Sequence, residues 1–475
     1  MQADSLEVYT KESLQNYIEA ETQRSWEERD FVKDVRRYLN SESRRVLLVL
    51  GLRSTGKTSG ILQALNPESS LYLCPLFKES ITEQEVFDII ENSDCKNIVI
   101  DEFSWIKWEK DCDKLTNYLA GIAKMGKKVI LTGTESIYLN RLKYTELIHR
   151  SISVHTTYFP YDEFCRLYHL EHGAGSMDKY LTSGGIFDVP SGNKYNIADY
   201  IENSIINNIS SSFKDQPEEQ IKASIYQIFY DCICKSYNLG YSHVYNHQNR
   251  NQELSAEEFL EMFGVNPALR IDPQVFSLVA SALEDIEVII KIPDLRIGKN
   301  YRTYLTNQTL SALFIKEIYH LDELAPTEYG KLFEASVVCN FYKRMPVHYR
   351  MYYLDGRKQG IDYEIDFILR DEESHEHCAY LFECKHSGNS DYHISPGASL
   401  VKELISTMLG DYDVVGRYVI YRGNPKVETI NNYQVYYTND WAVADSFESF
   451  QQKLSCLDNA EASDELFSLI SKGKM

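Results

Sequence analysis

The sequence predicts an α/β chain built from three consecutive units, and three observations carry that reading. Up to about residue 190, short apolar runs alternate with amphipathic stretches, the pattern of a parallel sheet covered by helices. From 196 to 325 helical spacing dominates and ends in two short β-prone runs. From 326 the order reverses to one long helix followed by extended segments. The expected units are therefore 1–195, 196–325 and 326–475, with the glycine-bearing stretches EHGAGS, TSGG and PSGNK leading into the first boundary.

In the first unit the strands are RVLLVLG, SLYLCPLF, KNIVIDEF and KKVILTGT, short runs rich in aliphatic residues. EQEVFDIIENS and CDKLTNYLAGIAKMG place apolar residues three and four apart, as helices packed on a sheet do. In the second unit IADYIENSIINNI, IKASIYQIFYDCICKSY, SAEEFLEMFG and VFSLVASALED read as helices. VIIKI and LRIGKNYRTYLT then form a ribbon with a Gly-Lys-Asn turn, so this unit is expected to be winged-helix-like. In the third, the helix KLFEASVVCNFYKRM precedes the strands HYRMYYL, YEIDFILR, AYLFECKH, GRYVIYRG and YQVYYT.

Composition narrows the function classes. A chain of 475 residues, 43% of them hydrophobic, has ample material for buried cores. Its 49 Lys+Arg against 70 Asp+Glu leave a formal charge of −21, which excludes a general electrostatic grip on nucleic acid; any phosphate binding must be local. No segment approaches the length needed to span a bilayer and the opening residues lack a signal pattern, so no membrane partner and a cytoplasmic location are expected. The ten cysteines lack paired zinc spacing and are expected as reduced thiols. His375, His377 and Cys378 offer a soft-metal set or, alternatively, the tip of a charged hairpin.

The chemistry begins at Gly51-Leu52-Arg53-Ser54-Thr55-Gly56-Lys57-Thr58, followed by Ser59. It matches GxxxxGK[ST] and sits after a strand and before a helix. Small residues let consecutive N–H groups curl around phosphate oxygens, and the helix adds its positive end. Lys57 would reach the β- and γ-phosphates of ATP, and the Thr58 hydroxyl would ligate Mg²⁺. IVIDEF delivers Asp101 and Glu102 at a strand end, Asp101 to hold the magnesium through water and Glu102 to polarise an attacking water. KKVILTGTES ends in Thr132, Thr134 and Glu135, of which Thr134 is the expected γ-phosphate sensor. A glycine-rich turn that merely ends a strand is the alternative.

Taken with the helix ending IHR, the FPYDEF segment and YLTSGG, these motifs follow in the order of AAA-type ATPases of the archaeal-ATPase kind, which the chain resembles over roughly 30 to 440. The resemblance implies a P-loop NTPase domain, a winged-helix-like second domain and a restriction-endonuclease-like third domain. It also implies that Arg150 acts as an arginine finger or sensor, with homo-oligomers in which an arginine is supplied in trans; a plain salt-bridge arginine is the alternative. Two departures stand out. The P-loop carries only Arg53, followed by Ser54, where the family often has two basic residues, and the middle-domain motif Asp-Pro-Gly-Leu appears as Thr306-Asn307-Gln308-Thr309-Leu310.

A second constellation lies in YEIDFIL and YLFECKHS. Period-two alternation puts Glu364 and Asp366 on one face, opposite Ile365 and Phe367, and puts Glu383 with Lys385. A hairpin would gather Asp366, Glu383 and Lys385, with Glu334 from the preceding helix completing a divalent-cation site able to activate water. The set resembles a PD-(D/E)xK nuclease site, while cross-strand salt bridging explains the same residues. Lys343, Arg344 and HYRMYYLDGRKQG, and separately Arg296, Lys299 and Arg302 on the ribbon, are the candidates for contacting nucleic acid. The expected protein is thus an ATP/ADP-binding, Mg²⁺-dependent ATPase switch coupled to a nuclease-like unit; the alternative is a non-enzymatic module that ATP stabilises.

Overall fold

The computed structural model describes residues 6–22, 27–107, 113–185, 197–236, 254–296, 300–346, 348–355, 364–373, 377–387 and 396–439. The chain is α/β with two mixed six-stranded sheets and a two-stranded ribbon. The boundary expected near 195 falls outside the described residues.

Leu6–Thr10 (β1), Val46–Leu50 (β2), Ser70–Pro75 (β3), Asn97–Ile100 (β4), Lys128–Thr132 (β5) and Ser151–His155 (β6) form the first sheet, in the order β1-β3-β4-β5-β2-β6. The four central strands are the expected ones and run parallel. β6 joins them in parallel at one edge, while β1 pairs antiparallel with β3, so the sheet is not wholly parallel as anticipated.

Period-two alternation explains how β2 is buried on both sides. Leu47 and Val49 pack with Val32 and Val35 of helix Phe31–Asn40 and with Ile61 and Leu62 of helix Lys57–Ala64. Val46, Leu48 and Leu50 face Val86, Leu115, Leu119 and Leu139 on the other side. Each fully buried aliphatic side chain contributes about 1.5–3 kcal/mol. Because the strand is locked on both faces, the position of the loop that leaves its C-terminal end is fixed.

The middle segment is helical, with Asn207–Ser212, Glu218–Asp231, Ala256–Met262, Pro273–Asp285 and Gln308–Ile318 around Phe229, Phe259 and Phe314. Ile289–Pro293 (β7) and Tyr301–Leu305 (β8) form the expected antiparallel ribbon. The stretch Thr306–Leu310 is a helix start: Asn307 Oδ1 accepts from Leu310 N at 3.0 Å, and its Nδ2 donates to the Gly185 carbonyl at 2.9 Å.

Tyr349–Asp355 (β9), Glu364–Asp371 (β10), Cys378–Lys385 (β11), Asp413–Tyr421 (β12), Lys426–Ile430 (β13) and Tyr433–Thr438 (β14) form the second sheet, ordered β13-β14-β12-β11-β10-β9. β11, β12 and β14 are parallel neighbours and the other pairings antiparallel. Helix Pro326–Arg344 covers one face, where Phe341 meets Phe367 and Phe382, themselves stacked at 4.4 Å. One apolar core runs from Phe159 and Tyr180 through Phe229 and Phe314 to Phe341 and Phe382, joining all three segments. No described helix is long and apolar enough to cross a membrane. Among the described cysteines no disulfide is formed.

Candidate functional site

At the C-terminal end of β2 the chain turns through Gly51, where a Cβ would lie 2.1 Å from Thr156 Oγ1, so only glycine fits. Gly56 caps helix Lys57–Ala64 at φ 78°, ψ 21°, a left-handed conformation that favours glycine. Between them Arg53 and Ser54 are exposed at the tip, Leu52 and Thr55 are buried, and Thr58 and Ser59 are half-buried on the first helical turn. Ser136 fixes the loop's start, accepting from Gly51 N at 2.9 Å and donating to the Gly51 carbonyl at 2.7 Å.

Lys57 folds back inside this loop. Its Nζ donates to the Gly51 and Leu52 carbonyls at 2.9 and 2.8 Å, and the residue is 7% exposed. Burial pushes its pKa down to about 8, with Glu102 and Asp101 pulling the other way. An ammonium held by two loop carbonyls, without an ion pair among the described residues, is charge waiting for an anion.

The acidic partners arrive from the end of β4, and Thr134 from the end of β5. Thr58 Oγ1 donates to Asp101 Oδ2 at 2.7 Å, and Tyr72 OH donates to the same oxygen at 2.6 Å. Glu102 sits at φ 45°, ψ 42°, a strained left-handed position for a non-glycine residue. Its Oε2 accepts from both the backbone N and the Oγ1 of Thr134, at 2.8 and 2.9 Å. Burial and Asp101 raise the Glu102 pKa, while Thr134 and Lys57 oppose the rise. Thr132 instead turns into the sheet, donating to the Val49 carbonyl, and Glu135 pairs with Lys78 at 2.7 Å.

Arg150 does not join these groups within the chain. Its carbonyl accepts from Val46 N, at the start of β2, and its guanidinium donates to Asn117 Oδ1 at 3.1 Å. A five-residue strand of about 17 Å separates it from the loop, which corrects any role at its own chain's loop.

Sequence reasoning missed Arg29. It is 5% exposed, makes a two-pronged pair with Glu163 at 2.7 and 3.2 Å, and donates to the Thr55 and Thr156 carbonyls. It thereby pins the back of the loop to β6 and to the FPYDEF segment. Asn208 was missed as well: its Nδ2 donates to the Thr134 carbonyl at 2.9 Å and its Oδ1 accepts from Ile137 N, tying the glutamate-holding turn to the middle segment.

In the second sheet Asp366, Glu383 and Lys385 do come together, by a route the alternation rule did not foresee. A register shift between Ile365 and Ile368 puts Ile365 and Phe367 in different cores, so they do not share a face as expected. Asp366 is 6% exposed and its Oδ2 accepts from Cys384 N at 2.7 Å; Lys385 Nζ lies 2.5 Å from Glu383 Oε1. Burial and then Glu383 hold the Asp366 carboxyl well above the usual range, and burial also raises Glu383 against the pull of Lys385. Glu334 is engaged elsewhere, with Lys331 at 2.9 Å, Tyr304 OH at 3.0 Å and Arg302 at 3.4 Å. Burial resists its ionisation, but Lys331 and Arg302 outweigh it and keep its pKa low. Among the described residues no group of three or more His, Cys, Asp or Glu is arranged to hold a metal ion. His375 lies outside the described residues, and His377 meets the Tyr412 ring edge-on.

Four of the basic residues expected to meet nucleic acid, Arg296, Arg302, Lys343 and Arg344, are paired internally, which corrects the assignment for those four, while Arg350 stays exposed. Arg302 is 7% exposed between Glu334 and Glu364, and Arg296 pairs with Asp294. Lys343 pairs with Glu287 and Arg344 with Asp162. A buried cation needs a carboxylate, and Arg302 and Arg344 find theirs in other segments of the chain. Lys299 and residues 356–363 lie outside the described residues. Compared with known proteins, the chain matches no protein-family model and no curated protein.

Proposed function

We propose that the chain is an ATP-binding protein, a Mg²⁺-dependent ATPase of the P-loop kind that works as a nucleotide switch. The observation that carries this is the buried Lys57 ammonium, cradled by loop carbonyls beside the Thr58–Asp101 and Glu102–Thr134 pairs. These residues fit the group: the Gly51–Thr58 amides and Lys57 would hold the phosphates, and Thr58 with Asp101 would hold Mg²⁺. Bound MgATP would supply an electrophilic γ-phosphorus with its charge neutralised by the cation. Glu102 is oriented by Thr134 and carries a raised pKa, so it is suited to take a proton from a water molecule. Asn208 passes any shift of the Thr134 turn to the helical segment.

In this reading the third unit is the output, a nuclease-like fold with Asp366, Glu383 and Lys385 at its candidate site. A second reading, in which that unit is an inert platform, is favoured by one observation: both carboxylates already have partners, Cys384 N and Lys385. The test is ATP turnover and binding by the purified chain with Mg²⁺, in wild type, Lys57→Ala and Glu102→Gln. Nucleic-acid cleavage with Mg²⁺ or Mn²⁺ in Glu383→Ala separates the two readings of the third unit.

A further inference from the structure

Four cationic side chains from three separate segments line one concavity at the end of the first sheet opposite the Gly51–Thr58 loop. Arg44 and Arg45 precede β2, Lys124 ends helix Asp113–Lys124, and Arg150 precedes β6; the cavity they line measures about 740 Å³. Glu42 is the one acidic residue in its wall.

The concavity is held in place from behind. Lys128, 4% exposed, donates to the Ser41 and Ser43 carbonyls at 2.7 Å each, and Tyr38 OH donates to the Arg45 carbonyl at 2.8 Å. The turn that presents Arg44 and Arg45 is therefore anchored to the sheet. Arg150 is oriented by Asn117.

Arg29, Arg302 and Arg344 are each matched to a carboxylate. Among the described residues Arg44, Arg45 and Lys124 have no such partner, and Arg150 has only the neutral Asn117. In a chain with 21 surplus negative charges, four cations brought together without internal counter-ions repel one another until an anion arrives.

We infer that this concavity binds the sugar-phosphate backbone of a nucleic-acid strand. The opening is far larger than one phosphate requires, and cations from three segments match several phosphates along a strand better than one compact ion. Arginine grips phosphate oxygens with two parallel N–H donors, and three of the four cations are arginines. Of the lining side chains His149 alone carries a ring, and no Phe, Tyr or Trp joins it, so the contact reads chiefly backbone and has little sequence preference. The formal charge of −21 disfavours a general grip on nucleic acid, so phosphate binding here depends on this local cluster. This assignment is independent of the nucleotide site and stands at the other end of the sheet from it.

The test is fluorescence anisotropy of the full chain with labelled oligonucleotides of about 20 residues, single-stranded and duplex, over a range of salt. Four phosphates neutralised on a single strand predict a slope of log K against log salt of about −3. Arg44→Glu with Lys124→Glu should weaken binding at least about tenfold and flatten the slope, while Arg44→Gln with Lys124→Gln should do so less. Both variants should retain the wild-type melting curve and ATP turnover, and Lys57→Ala should retain oligonucleotide binding. The inference is overturned if folded Arg44→Glu/Lys124→Glu protein binds oligonucleotide as wild type does. It is equally overturned if tripolyphosphate binds while neither oligonucleotide does, or if the double variant instead abolishes self-association of a chain that binds no nucleic acid.

Discussion

Thr134 and Asn208 are locked together across two segments of the chain: the Asn208 amide donates to the Thr134 carbonyl at 2.9 Å, while the Thr134 amide and hydroxyl hold Glu102. The residue that positions the candidate base is thus itself positioned by the helical segment. Asn208→Ala should leave ATP affinity within about twofold and lower turnover about tenfold, because alignment of the base and not the phosphate grip is lost. Equal turnover in calorimetrically matched wild type and variant would remove the coupling.

Glu102→Gln keeps a hydrogen-bond acceptor for Thr134 but cannot take a proton. ATP binding should persist while the turnover rate falls about 10²- to 10⁴-fold. Retained turnover in a phosphate-release assay would point to another base.

Lys57 sets a pH dependence. Its pKa is depressed from 10.5 to about 8, so the free protein loses the ammonium as pH rises through 8. Binding phosphate needs the charged form and must then take up a proton. ATP affinity should be level below pH 8 and fall about tenfold per unit above it. A titration by calorimetry in buffers of different ionisation heat reads both the affinity and the proton uptake; a flat profile to pH 9.5 would exclude Lys57 as the phosphate ligand.

Removing Arg29 strands Glu163, which is 2% exposed. Arg29→Ala should cost about 3–5 kcal/mol, and Arg29→Lys should recover only part, because the two-pronged geometry and the Thr55 carbonyl contact need a guanidinium. Chemical denaturation measures both, and a loss below about 1 kcal/mol in Arg29→Ala would show that the loop does not depend on this pin.

For Asp366 the carboxyl pKa is raised in the folded chain, so deprotonation opposes folding and stability declines as pH climbs through that raised value. Asp366→Asn retains an acceptor for Cys384 N and removes the charge. It should stabilise the chain by about 1 kcal/mol at pH 7 and abolish any effect of Mg²⁺ or Mn²⁺ on melting of this unit. A lower melting temperature in the variant would mean that the ionised carboxylate is stabilising.

Legibility in the sequence followed burial. The four central strands of the first sheet and the long helix Pro326–Arg344 were readable because both faces are apolar or the periodicity is sustained. LEVYT, SISVH and KVETI were not: they are β1, β6 and β13, edge strands that stay half-exposed and so carry no apolar run. At the candidate site two separate short motifs, GLRSTGKT and IVIDEF, exposed Lys57 and Thr58, and Asp101 and Glu102. Arg29 and Asn208 were silent because a lone polar residue has no pattern until the fold encloses it. The Arg44, Arg45, Lys124 and Arg150 cluster was silent for a related reason, since three distant segments contribute to it.

The irregularity between Ile365 and Ile368 reaches beyond local geometry. One residue too many in β10 is what lets Ile365 and Ile368 sit in one core while Phe367 sits in the other. Deleting a single codon there would restore a tidy pleat and trade every side chain on one flank for its neighbour's place. The third unit is accordingly sensitive to chain length at this point, because a one-residue change would send each following side chain to the opposite core.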